Sequence, residues 1–231
     1  MRLYLVRHAD PDYERNTLTA LGHLEAQSLA RRFAKIGLDH LYCSPLGRAL
    51  DTARYTSESI ERTVVVEPWL QELEWEIVHP EFGELSAWDL PGEVLRRAAR
   101  DAAPRPSAIP HFRAEFQEEY EIRTAALDGL LAKHGFVRQG RLYRTSGENR
   151  ERIALFSHGG LAIHLLAHLL DMPLHTAYAC FWFPPSSVTT ILFEERSSEW
   201  AAPRCIGMGD VSHLYADGLP VQPRGILGNT E

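Results

Sequence analysis

With 231 residues, 45% hydrophobic and 24% charged, the chain is long enough to bury roughly 70–75% of its unfolded surface in one core, and its composition excludes disordered, collagen-like and repeat classes. A formal charge of −7, from 31 acidic against 24 basic side chains, argues against general nucleic-acid binding, which depends on a surplus of cations. Cys43, Cys180 and Cys205 are odd in number and share no Cys-x-x-Cys spacing, so neither a disulfide framework nor a thiolate zinc site is expected, and a reducing cytoplasm fits the chain.

The first β-favouring run is Leu3 to Val6, too short for the apolar region of a signal peptide. Thr19 is placed to cap a helix over Ala20 to Ile36, with Leu21, Leu24, Phe33 and Ile36 at helical spacing and Gly37 just past its end. A strand over Leu41 to Cys43 runs into Ser44-Pro45, which predicts a second helix with serine as cap and proline in its first position. Val64 to Val66 reads as the next strand.

Between Glu67 and Ile153 lie 85 residues, several times the roughly 30 of a complete strand-helix-strand crossover. Pro104, Pro106 and Pro110 divide this stretch, predicting one helix near Glu93 to Ala102 and another over Phe112 to His134, apolar at Phe112, Phe116, Ile122, Leu127, Leu130 and Leu131. We expect one domain over residues 1–231, with a mostly helical cap inserted at about 74–152. Ile153 to Phe156 is the following strand, and Leu161 to Leu170 a helix; with His164 and His168 inside it, that run is far below the roughly 20 residues of a membrane span. Val188 to Phe193 is a further strand. Strands alternating with helices predict an α/β layered fold with a mainly parallel sheet.

In such sheets ligands bind beyond the carboxyl ends of the strands. Arg7 and His8 follow the first strand, Arg48 lies in the first turn expected after the second, and Ser157, His158, Gly159 and Gly160 follow Ile153 to Phe156. Two guanidiniums suit a tetrahedral oxyanion such as phosphate, because each holds two oxygens through planar, charge-assisted hydrogen bonds. An imidazole beside them is biased toward its neutral, nucleophilic form.

Four segments carry a resemblance: Leu-Val-Arg-His-Ala from Leu5, Ser-Pro-Leu-Gly-Arg-Ala-Leu-Asp-Thr-Ala from Ser44, Leu-Gln-Glu from Leu70, and Ser-His-Gly-Gly from Ser157. In order and separation they resemble the histidine phosphatase superfamily, also called phosphoglycerate mutase-like, as do Leu-Thr-x-x-Gly at Leu18 and Gly-Asp-Val-Ser-His-Leu from Gly209. The run Arg-His-Ala-Asp-Pro-Asp, with Trp-Asp-Leu at Trp88, is similar to bacterial members. The resemblance implies a three-layer α/β/α sandwich with a mixed six-stranded sheet and a reaction through a phosphohistidine that requires no metal or other cofactor. It implies that His8 is the nucleophile, that Arg7, Arg48, His158 and the adjacent Gly159 bind the phosphoryl group, and that Glu72 protonates the leaving group. Ala9, Pro11 and Glu14 depart from the residues usual after the nucleophile.

The expected activity is therefore hydrolysis of a small phosphorylated metabolite, with no nucleic-acid or membrane partner. The rivals are a phosphoglycerate mutase, whose Ser-Thr-Trp-Asn neighbourhood is missing, and a regulatory module that binds phosphate without turnover. Glu74 and Glu76 compete with Glu72 for the acid role. His164 and His168 have the i, i+4 spacing of a zinc pair, but Leu165 stands where a hydrolytic zinc helix carries glutamate, which favours structural histidines. His213 is expected to be structural, and Trp69, Trp75, Phe82 and Trp88 suit either a pocket wall or the core beneath the cap.

Overall fold

The structure, a computed structural model, describes residues 1–98, 112–226 and 228. From the N-terminus, β1 (Arg2–Arg7) leads through a two-stranded ladder, β2 (Pro11–Asp12) and β3 (Thr17–Leu18), into α1 (Ala20–Ile36). Thr19 caps α1 by accepting the Gly22 N–H at 3.0 Å, and Gly37 ends it at φ 77°, both as the sequence predicts. Next come β4 (His40–Cys43), α2 (Gly47–Ile60) and β5 (Val64–Val66).

The α2 helix starts at Gly47 rather than at Ser44-Pro45, because the Ser44 hydroxyl accepts the Leu46 N–H at 3.2 Å and forms a turn of its own before the helix. The chain then forms β6 (Glu76–His79), β7 (Gly83–Ser86), α3 (Gly92–Ala98), α4 (Ala114–Lys133), β8 (Val137–Gln139) and β9 (Leu142–Arg144). It closes with β10 (Arg152–Ser157), α5 (Gly159–Leu169), α6 (Leu174–Cys180), β11 (Val188–Glu195), β12 (Trp200–Asp210) and α7 (Ser212–Ala216).

The main sheet has the order β5-β4-β10-β1-β11-β12-β9-β8, parallel from β5 to β1 and antiparallel beyond. Period-two alternation along its central strands makes the layers. Leu3 and Leu5 of β1 and Ile153 and Leu155 of β10 point into one core, with Leu161 and Leu165 of α5 and Leu127 and Leu131 of α4. Tyr4, Val6, Ala154 and Phe156 point into the other, against Leu29 and Phe33 of α1 and Ala49 and Ala53 of α2. Burial of each large apolar side chain contributes about 1.5–3 kcal/mol.

Two findings correct the reading of the sequence. The sheet has eight strands rather than six, because the short β8–β9 hairpin adds to the edge of β12, where Ala201 pairs with the fully buried Tyr143. Among its described residues, the stretch 74–152 is not wholly a helical cap either. It holds two hairpins, and α4 buries Phe116, Leu127, Leu130 and Leu131 in the same core as β1, so that helix is a layer of the main body. The helix expected near Glu93 to Ala102 is described as α3 up to Ala98; Ala102, Pro104, Pro106 and Pro110 lie outside the described residues. No described helix is long and apolar enough to cross a membrane.

Candidate active site

The parallel strands β1, β10 and β4 end at one edge of the sheet, and backbone pairing fixes what emerges there. Arg7 pairs with Ser157, the His8 N–H donates to the Ser157 carbonyl at 2.9 Å, and the Ser44 N–H donates to the Phe156 carbonyl at 2.9 Å. His8 and His158 are thereby neighbours, with ring centroids 5.2 Å apart.

A backbone carbonyl only accepts, so the 2.8 Å contact between His8 Nδ1 and the Ala9 oxygen puts the ring proton on Nδ1 and leaves the Nε2 lone pair free. Burial, then the Arg7 and Arg48 charges, hold His8 well below the usual histidine range, so it is neutral. His158 is depressed in the same way by burial, then by His8, Arg48 and Arg7. Its Nε2 lies 2.7 Å from the Ser44 hydroxyl.

The arginines are pinned on one side and open on the other. One terminal nitrogen of Arg7, Nη1, donates to the Phe183 carbonyl at 2.6 Å and the Arg224 carbonyl at 3.0 Å. Arg48 Nη1 donates to Asn16 Oδ1 at 3.0 Å, and its guanidinium stands 5.4 Å from the Tyr13 ring centre. Arg7 Nε, Arg48 Nε and His158 Nδ1 are buried with no hydrogen-bond partner. Such orphans are rare in folded proteins and call for a ligand or another explanation, because each costs about 1–3 kcal/mol.

Arg7, His8, Tyr13, Arg48, Glu72 and Gly159 line one cavity of about 570 Å³, within the range of small-molecule sites. The Glu72 carboxylate sits on the start of α5: Oε1 accepts the N–H of Leu161 at 2.9 Å and of Leu73 at 3.1 Å, and Oε2 that of Gly160 at 3.2 Å. These bonds and Arg7 favour its ionised form, but burial outweighs them and raises its pKa. The helix start therefore holds a carboxyl group of the protein, while Gly159 remains on the cavity wall beside Arg7. Glu74 and Glu76 also line the cavity, on exposed positions.

The remaining candidates separate. Trp88 lies on Gly160 so closely that a Cβ there would stand 2.6 Å from the indole, and it lines the cavity. Trp75 is fully buried, stacked on Phe116 at 4.7 Å and edge-on to His164 at 4.4 Å, so it belongs to the core. Trp69 packs against the same core, and Phe82 is exposed. His164 Nδ1 meets the Tyr178 hydroxyl and His168 Nε2 meets Asp128, each at 2.9 Å, so these histidines serve different partners. His213 Nε2 pairs with the Ser186 hydroxyl at 2.9 Å, and the Ser186 N–H donates to the His8 carbonyl at 3.0 Å; His213 thus buttresses the loop beneath the nucleophile candidate.

Sequence reasoning missed Asp89, Trp182, Gly225 and Ile226 on the cavity wall. Burial pushes Asp89 up to about 6, and it has no hydrogen-bond or ion-pair partner among the described residues. Arg224 anchors the C-terminal segment by donating to Asp10 at 2.8 Å, while its carbonyl accepts from Arg7. Nothing local in the sequence marks that segment as part of the site.

Residues 3–204 match the profile of the histidine phosphatase superfamily (branch 1). The chain belongs to that superfamily. A protein of Proteus mirabilis named "Probable phosphoglycerate mutase GpmB" is 27% identical over 225 residues, 93% of this chain and 95% of the relative. A Hydrogenobacter thermophilus protein named "Putative phosphoserine phosphatase 2" is 39% identical over 146 residues, 58% of this chain and 68% of that protein. Among solved structures, the phosphoserine phosphatase of Entamoeba histolytica with 3-phosphoglyceric acid superposes with a TM-score of 0.65 at 18% identity, covering 92% of this chain and 98% of that one. A mycobacterial glucosyl-3-phosphoglycerate phosphatase with inorganic phosphate gives 0.63 at 22% identity, with the same coverage. The two solved structures share this chain's fold, while the substrates in these names differ.

Proposed function

We propose that this histidine phosphatase hydrolyses phosphomonoesters of small metabolites through a phosphohistidine on His8. The observation that carries the reading is that Arg7 and Arg48, each with a buried, unpartnered Nε, line the same cavity as His8, whose Nε2 lone pair is free, while the ring of His158, with its own unpartnered Nδ1, lies 5.2 Å from that of His8. In this mechanism Arg7, Arg48 and His158 bind the phosphoryl oxygens and stabilise the charge that spreads over them. His8 Nε2 attacks phosphorus as the ester P–O bond breaks, and Glu72 passes its proton to the departing oxygen. Water then attacks the phosphohistidine, Glu72 takes a proton from it, the P–N bond breaks, and His8 returns to its neutral form. Every role falls to a side chain of the protein, so the reaction needs no metal or other cofactor.

The cavity also favours hydrolysis over a phosphoglycerate mutase. A mutase must hold its substrate's carboxylate as well as its phosphate. Among the described lining residues the only Arg or Lys are Arg7 and Arg48, whereas Glu74, Glu76 and Asp89 stand beyond them. A binding module without turnover would have no use for a neutral nucleophile next to a raised carboxyl group. We assign the cap to the β6–β7 hairpin, the Trp88–Asp89 turn and α3. Three free cysteines, Cys43, Cys180 and Cys205, fit work in a reducing cytoplasm.

The test is an acid quench during turnover of a labelled phosphomonoester. A base-stable, acid-labile phosphoryl group on His8 is expected, and His8→Ala abolishes both label and activity. A His8→Ala enzyme that turned over at a comparable rate would remove the covalent mechanism.

A further inference from the structure

At the opposite end of the same strands, three side chains from separate segments converge. His40 opens β4, His134 follows the last residue of α4, and Glu151 precedes β10. His40 Nε2 stands 3.3 Å from Glu151 Oε1 and His134 Nδ1 stands 2.9 Å from Glu151 Oε2. One ligand atom from each residue lies within 4.8 Å of the others, and the two rings are 4.7 Å apart.

We propose that His40, His134 and Glu151 form a binding site for a divalent transition-metal ion, with Zn²⁺ as the best-suited guest. Metal–nitrogen and metal–oxygen bonds of 2.0–2.2 Å place tetrahedral ligands about 3.3–3.5 Å apart, so ligand atoms that lie within 4.8 Å of one another close around an ion through side-chain rotations of about an ångström. Two imidazoles and one carboxylate are a recurrent zinc set, which leaves the fourth position to water. The site is reachable, since the His40 side chain is 42% exposed and that of Glu151 35%, while His134 at 7% is held rigidly.

The surroundings fit the same purpose. The Tyr42 hydroxyl lies 2.9 Å from His134 Nε2, so a ring that gives Nδ1 to a metal has a partner for its Nε2–H. Asn149 Nδ2 donates to Glu151 Oε2 at 3.0 Å, and the Glu151 N–H donates to Asn149 Oδ1 at 2.8 Å, which orients the carboxylate. Without metal each histidine carries its proton on the nitrogen facing Glu151. An ion here would tie the end of α4 to the starts of β4 and β10, remote from the phosphate-binding edge.

The experiment is titration of the tag-free, metal-stripped chain with Zn²⁺ by calorimetry, and with Co²⁺ by visible absorption, which reports tetrahedral coordination. One ion per chain and a higher melting temperature are expected. His40→Ala and Glu151→Gln should each weaken binding about tenfold or more and Tyr42→Phe by about tenfold, with phosphatase activity unchanged in His40→Ala. His8→Ala should bind as the parent chain does. No binding at about 100 µM Zn²⁺, equal binding by His40→Ala, or loss of binding in His8→Ala, which would place the ion in the catalytic cavity, would each overturn the proposal. Should Glu151→Gln fail to fold, His40→Ala, at the most exposed of the three positions, still decides.

Discussion

The two ends of the central sheet use the same residue types in opposite ways. At the N-terminal edge His40 and His134 share Glu151, and each nitrogen that faces the carboxylate is satisfied. At the carboxyl edge the His8 and His158 rings are 5.2 Å apart, against 4.7 Å for His40 and His134, yet His158 Nδ1, Arg7 Nε and Arg48 Nε are buried and unpartnered. A chain selected for stability alone would pair those groups, as it does at the far end. Leaving them open costs stability and, in the proposed mechanism, keeps donors in place for a charge that arrives with the substrate.

The largest expected effect concerns the Glu72 carboxyl group, which lines the same cavity as Arg7, His8 and Arg48. Expulsion of an alkoxide needs a proton, and a positioned acid contributes about 10²- to 10⁴-fold. Glu72→Gln should therefore slow alkyl phosphates by that factor while sparing a nitrophenyl ester, whose phenolate leaves without help. Steady-state kinetics on both esters decide it: equal losses would end the acid role, and the selective pattern in Glu74→Gln would move it two residues along.

The second prediction attacks the contrast directly. Arg48→Met removes an unpartnered nitrogen, and it should lower kcat/KM by about 10²- to 10³-fold while leaving the urea-unfolding free energy within about 1 kcal/mol of the parent. His134→Ala should do the reverse, lowering stability by about 1–2 kcal/mol through the loss of a buried ring and its hydrogen bonds to Tyr42 and Glu151 while kcat/KM holds. If Arg48→Met were the less stable of the two, the orphaned nitrogens would be structural after all.

Aromatic residues sharpen the same distinction within the insertion. Trp75→Ala should cost about 3–5 kcal/mol in stability and reduce every substrate alike, because Trp75 is core. Trp88→Ala should instead change the ranking of phosphorylated substrates. Uniform losses in Trp88→Ala, measured across a substrate panel, would return Trp88 to core packing.

The smallest effect is a pH slope. Burial holds His164 at about 3, against 6.5 for a free histidine. Below pH 6.5 the unfolded chain binds a proton that the folded chain refuses, so stability is fully present above 6.5 and falls as pH drops toward 3. Urea melts of the parent and of His164→Gln, which cannot titrate, should therefore diverge by about 1.4 kcal/mol per pH unit between roughly 6 and 4. Parallel curves would show that His164 charges without unfolding.

How much was legible depends on range. Five strands, β1, β4, β5, β10 and β11, the helix α1 with its Thr19 cap, and the residues Arg7, His8, Arg48 and His158 can be read locally, since strand direction alone gathers those residues at one edge, whereas β12 and the short hairpins carry no such signal. Glu72 is legible through its Leu-x-Glu resemblance, but not its seat on the first turn of α5, which joins residues 88 and 89 positions apart. Ser44 has the sequence signature of a helix cap but is a turn residue that meets His158.

What the sequence by itself determined is the α/β alternation and the identity of the polar groups that meet at the carboxyl edge of the sheet, because periodicity and strand ends are properties of short segments. Only the tertiary structure decided that β8 and β9 extend the sheet, that Trp75 belongs to the core and Trp88 to the cavity, and that Asp89 and the segment around Arg224 reach the site. It also placed His40, His134 and Glu151 together from three distant segments. The physical reason is that desolvation and partnership belong to the packed neighbourhood, and a side chain acquires that neighbourhood only when remote segments close around it.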